Sequence, residues 1–160
     1  MPPPADVPPP VRVASVDIAA ASLYQEIILT HYRSPRHKGV LSVASPATEH
    51  RNPLCGDVLS IQVLRDGDTI ADAAFTAQAC SITQATASML LSRVIGGTVP
   101  DARAVIAQVE RLIETPLGES GIDGADLGDL RALASVVRFP ARRACVRLVT
   151  LAMTEALATP

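Results

Sequence analysis

Three cysteines stand in this 160-residue chain, each where a regular pattern begins or ends. Cys55 lies in the loop Asn52-Pro53-Leu54-Cys55-Gly56-Asp57, Cys80 between an alternating segment and a helical one, and Cys145 near the start of the last helical run. An odd count in a chain of this length is no disulfide framework, so the thiols are read as free. Asp57 is two residues from Cys55, and in extended backbone such a pair points to one side. Three thiolates and a carboxylate make a complete tetrahedral donor set, and soft sulfur donors select zinc or iron–sulfur chemistry. A helix start beside Cys80 favours its thiolate. The separations of 25 and 65 residues match no compact zinc finger. On spacing alone, three small buried hydrophobes remain an equal reading. Cys145 is the most core-like of them, with Leu148, Val149 and Met153 on its helix, and Cys55 the least.

His31, His37 and His50 are the other possible ligands, but none adjoins a cysteine. No cysteine-protease signature and no glycine-rich phosphate loop is present. A formal charge of −2 and a pI near 5.9 argue against a nucleic-acid partner, which needs a clustered cationic face. Aromatics at 2% remove the stacking platforms used for single strands. No apolar run nears the roughly 18 residues that span a bilayer. The N-terminus has neither the basic flank nor the apolar stretch of a secretory signal, so a cytoplasmic protein is expected.

The elements that must position these residues follow from periodicity. Six prolines among the first ten residues predict a disordered tail over 1–16, with one domain over 17–160. Asp17 opens a helix to about Tyr32, with Ile18, Leu23, Ile27 and Ile28 as its apolar stripe. Residues 33–39 form a basic loop, and a strand is expected within 40–51. From Val58 the period is two, Leu59, Ile61 and Val63 facing one way; Asp66-Gly67 turns the chain into a strand from Thr69 to Ala77, with Ala71, Ala73, Phe75 and Ala77 on one face. Helices are predicted over 81–95, stopped by Gly96-Gly97, over 100–114, in a short stretch to Ala134, and over 141–157. The expected fold is α+β: a small antiparallel sheet of about three strands with helices packed on one face.

At this point the residues resemble the IscU/NifU-type iron–sulfur assembly family. Leu23-Tyr24-Gln25-Glu26-Ile27-Ile28 with His31-Tyr32-Arg33-Ser34-Pro35-Arg36 is similar to the family's opening. Asn52 to Asp57, Ala79-Cys80-Ser81-Ile82-Thr83 and Phe139-Pro140-Ala141-Arg142-Arg143-Ala144-Cys145 are similar to its three ligand motifs. The match runs in order over about residues 20–158. Leu117 to Val136 looks like the extra stretch of the SufU-like branch. The IscU scaffolds have a Leu-Pro-Pro-Val-Lys chaperone motif and a histidine before the third cysteine; here the corresponding residues read Phe-Pro-Ala-Arg-Arg and Ala144. Ala79 replaces the usual glycine, and a site needing positive φ would be strained by it.

The resemblance implies that Cys55, Asp57, Cys80 and Cys145 bind one zinc ion and that Cys55 accepts sulfur. It implies a SufS-type pyridoxal-phosphate cysteine desulfurase as donor of persulfide sulfur, with a partner histidine replacing Cys55 on the zinc, and other iron–sulfur assembly proteins as further partners. Arg142 is a candidate for positioning the ligands or contacting the desulfurase. The leading expectation is a zinc-dependent, sulfurtransferase-like persulfide acceptor and carrier. The alternatives are a scaffold assembling a [2Fe–2S] cluster on the same ligands, and a metal-free interaction domain with structural cysteines.

Overall fold

The structure, a computed structural model, describes residues 15–42, 46–53, 55–115 and 124–158. The expected tail lies outside them but for its last two residues, as do Val43 and residues 116–123. Element order is α1 (Ser15–Arg33), β1 (Thr48–Arg51), β2 (Val58–Asp66), β3 (Thr69–Gln78), α2 (Ser81–Val94), α3 (Val99–Glu114), a 3₁₀ segment (Gly124–Val136) and α4 (Pro140–Ala158). The strands form one antiparallel sheet in the order β1-β2-β3. α2 and α4 pack on it, with α1, α3 and the 3₁₀ segment against those helices, so the α+β expectation holds. No described helix is long and apolar enough to cross a membrane.

Alternation shapes the hairpin. Leu59, Ile61 and Val63 are buried and pair with Ala77, Phe75 and Ala73. Gly67, at φ 59°, supplies the left-handed turn between the strands. A register shift between Leu64 and Arg65 leaves Ala71 as an extra residue, since Leu64 faces Asp72 while Arg65 faces Ile70. The expected inward Ala71 is therefore exposed, and Ile70 is buried in its stead.

Three further expectations change. The strand sought over 40–51 is confined to Thr48–Arg51, and Val40 is 74% exposed. The chain just before it runs along β3's outer edge: Phe75 N donates to His37 O at 3.0 Å, and Gly39 N to Phe75 O at 2.8 Å. Ile27 and Ile28 lie on the inner face of α1 as expected, but Leu23 is 51% exposed, because its neighbour Tyr24 completes that face with His31. The short helix before α4 is 3₁₀, broken at Gly128 (φ 56°), and beyond the break its buried Leu130, Leu133 and Val136 recur every third residue, the period of that helix.

His31 ties three of these elements together. Its Nδ1 lies 2.8 Å from Ser88 Oγ on α2 and its Nε2 2.8 Å from Asp129 Oδ2 in the 3₁₀ segment. Ser88 also accepts from Arg36 N at 2.8 Å, so the hydroxyl hydrogen is directed to the imidazole. The order Asp–His–Ser has the look of a hydrolytic relay, but Ser88 is 0% exposed and no substrate reaches it. His31→Ala is expected to lower stability by about 1–3 kcal/mol, the cost of orphaned buried polar groups, and to leave metal uptake unchanged. Denaturant melts beside metal titrations check this, and lost uptake would make His31 part of the site.

Candidate metal centre

The four candidate ligands arrive from three places. β1 leaves into a closed turn, in which Asn52 N donates to Asp57 O and Gly56 N to Asn52 O, both at 2.9 Å. Gly56 sits at φ 72°, the left-handed region that a side chain opposes. Cys55 and Asp57 are thus brought together by a turn, not by the extended backbone expected from their spacing. Cys80 sits at the amino end of α2, two residues past β3. Cys145 lies in the second turn of α4, donating its thiol hydrogen to Ala141 O at 3.3 Å.

Donor atoms of Cys55, Asp57 and Cys145 all lie within 4.8 Å of one another. Cys80 Sγ is 3.4 Å from Cys145 Sγ. Cys55 and Cys80 are exposed, whereas Cys145 and Asp57 are buried, so the cluster is a shallow site with a closed floor. Asp57 receives the Cys80 amide at 3.3 Å on each oxygen and the Thr83 hydroxyl at 2.9 Å on Oδ2. The partly positive amino end of α2 suits that carboxylate.

Burial, then the Cys80 thiol and its charge, and last the Asp57 carboxylate push the Cys145 thiol up from 9.0 to about 12, opposed by a hydrogen bond from Thr83. A buried pocket that so disfavours a thiolate is one a cation would relieve. The spacing suits such an ion. Tetrahedral zinc with bonds of about 2.0–2.3 Å holds its donors roughly 3.5–3.8 Å apart, so Cys55, Asp57 and Cys145 fit after a small contraction, and Cys80, outside that trio but against Cys145, would complete the set by a further movement.

The other candidates lie elsewhere. Arg142 is exposed, its guanidinium 4.6 Å from the centre of the Phe139 ring at the head of α4. His31 is engaged as above, His50 Nε2 lies 3.0 Å from Glu155, and His37 is an exposed loop residue. Ala79 is not among the positive-φ residues, so the strain expected there is absent. Thr83 is the functional residue that sequence reading passed over. It is fully buried 26 positions from its carboxylate partner, and only its place three residues after a cysteine hinted at it.

Residues 23–146 match the NifU-like N terminal domain. The chain belongs to the NifU-like family. It is 36% identical over 137 residues to the zinc-dependent sulfurtransferase SufU of Bacillus subtilis, covering 86% of this chain and 90% of that one. It is 34% identical to the iron–sulfur cluster assembly scaffold protein IscU of Streptococcus pyogenes, over 84% of this chain and 82% of the relative. Among solved structures, a protein of Fervidobacterium islandicum assigned as an iron–sulfur cluster assembly scaffold for the SUF system superposes with a TM-score of 0.75 at 28% identity, covering 85% and 97%. The resemblance drawn from the motifs, to the SufU-like branch of this NifU-like family, therefore holds.

The raised Cys145 thiol sets two pH dependences. Zinc must displace its proton, so uptake releases protons and apparent affinity falls as pH drops, measurable by chelator competition at successive pH values. In the metal-free fold the neutral thiol contributes stability that is complete below 9.0 and is lost as pH rises toward 12. Alkaline melts of metal-free protein should fall accordingly, and less steeply for Cys145→Ser. Equal slopes would show that this thiol is not held neutral by the fold.

Proposed function

We propose that this NifU-like chain is a zinc-holding acceptor and carrier of persulfide sulfur, working with a pyridoxal-phosphate cysteine desulfurase in iron–sulfur cluster assembly. The observation that carries the reading is the convergence of Cys55, Asp57, Cys80 and Cys145 with Cys55 exposed on the turn. Similarity to SufU over most of both chains, and alanine at position 144, support a carrier over a scaffold.

The four donors would be the ligands, and bound zinc would supply the charge that keeps their thiols deprotonated while masking them. The chain's own residues supply the rest. Cys55, on a turn closed by two backbone bonds, is the donor that can leave the cluster without disturbing the sheet. Its thiolate attacks the terminal sulfur of the partner's cysteine persulfide. A sulfur–sulfur bond to Cys55 forms, the partner's breaks, and the partner's thiolate leaves. Asp57 and Cys145 stay on the buried floor, with Cys80 beside Cys145 at the amino end of α2. Arg142, exposed at the head of α4, would be available to contact the partner.

A second reading, a scaffold for a [2Fe–2S] cluster, is favoured by the same donor chemistry and by similarity to IscU. Purified protein is expected to contain about one zinc per chain, as a single tetrahedral site requires, with no visible absorbance band. It should accelerate desulfurase turnover, and Cys55→Ser should hold turnover at the unassisted rate while keeping the fold. Iron with acid-labile sulfide would replace the carrier by the scaffold. Protein without metal, with full acceptance by Cys55→Ser, would remove both.

A further inference from the structure

The carboxylate of Asp57 has two oxygens, and the Cys80 amide treats them alike, at 3.3 Å from each. Thr83 does not. Its hydroxyl donates to Oδ2 at 2.9 Å, and no side chain donates to Oδ1 among the described residues. The hydroxyl carries one hydrogen, and the other atoms in reach, Cys80 Sγ at 3.5 Å and the Cys145 sulfur, are poorer acceptors than a carboxylate oxygen at 2.9 Å. Nor does the helix use this hydroxyl. The carbonyl four residues back, that of Ala79, accepts instead from Gln84 Nε2 at 2.8 Å. Thr83 is also fully buried, so no water competes for it.

We infer that Thr83 is a positioning residue for the metal. By holding Oδ2 it makes the two carboxylate oxygens unequal and leaves Oδ1 as the ligand atom. This deepens the proposed function and rests on its assignment of Asp57 as a ligand. A hydrogen bond that orients a ligating carboxylate commonly supports metal affinity by about 10–100-fold. Thr83 touches no sulfur in transit and is not itself a ligand. Its effect on sulfur transfer runs through the geometry of Asp57.

The test compares the full chain with Thr83→Val, which keeps the shape and deletes the donor, and Thr83→Ser, which keeps the donor. Zinc affinity is read by chelator competition, site geometry by the visible spectrum of the cobalt(II)-loaded protein, and fold stability by melting the metal-free form. Thr83→Val is expected to weaken zinc binding about 10–100-fold and to shift the cobalt bands, while Thr83→Ser restores both. Should Thr83→Val fold poorly, Thr83→Ala reports the same two quantities. In an Asp57→Ala background Thr83→Val should have no further effect on affinity, because its action passes through that carboxylate. Unchanged affinity and an unchanged cobalt spectrum in Thr83→Val overturn the inference, even where melting falls, since that pattern is a purely structural hydroxyl. Wild-type protein that takes up neither zinc nor cobalt overturns the proposed function first, and this inference with it.

Discussion

Only Ala79 and Cys80 separate the end of β3 from the start of α2, and most of the site's geometry follows from that short link. The amino end of a helix carries backbone N–H groups with no partner inside the helix. Cys80, at the capping position, offers no side-chain acceptor for them. Asp57 reaches over from the turn between β1 and β2, so one carboxylate serves both as a stand-in cap and as a candidate ligand. The helix that needs an anion and the ion that would need the same anion are held on one atom group.

The site is poor in ways that only a cation corrects. Two of its four donors are buried, and the Cys145 thiol is pushed far from ionisation by burial and by its neighbours. Apolar packing carries the fold, with Leu59, Ile61, Ile70 and Phe75 on the sheet's inner face against α2 and α4. Folding and metal are therefore separable in origin yet linked in energy, because an ion that prefers the folded arrangement stabilises it by mass action. Cys55 and Cys80 are the exposed donors, and of the two Cys55 alone sits on a turn, one whose closure is local. The centre thus divides into a floor that stays and an arm that can leave.

What the sequence made legible was whatever a short window determines. The alternation of Leu59, Ile61 and Val63 announced β2, and Pro100 announced α3, whose cap in the structure is Thr98, accepting from Asp101 N at 3.2 Å. The cysteines and Asp57 were readable as donors from their types and as companions only through resemblance, since spacings of 25 and 65 residues say nothing about distance. Thr83 stayed hidden because its partner lies 26 residues away, and the fate of His31 because Asp129 lies 98 away. Leu23 misled by being apolar at a helical spacing one step from the true face. Local patterns showed which elements form, and the contacts between elements decided what their residues do.

The extra residue at Ala71 has a consequence for how such a chain can change over time. Upstream of it β3 turns even-numbered Ile70 inward, and downstream it turns odd-numbered Ala73 and Phe75 inward. Ala71 is where the pleat slips by one phase. Substitutions there alter only an exposed methyl, and the strand should absorb most of them. Deleting the residue would leave Ile70, Asp72 and Ala73 alternating inward, outward and inward against Arg65, Leu64 and Val63, so the ladder would close into regular pairing with its interior residues kept. Lineages descended from this chain should therefore tolerate both a change of letter and the loss of a residue at this position, whereas losing one between Asp72 and Cys80 would turn the faces of the paired strand over.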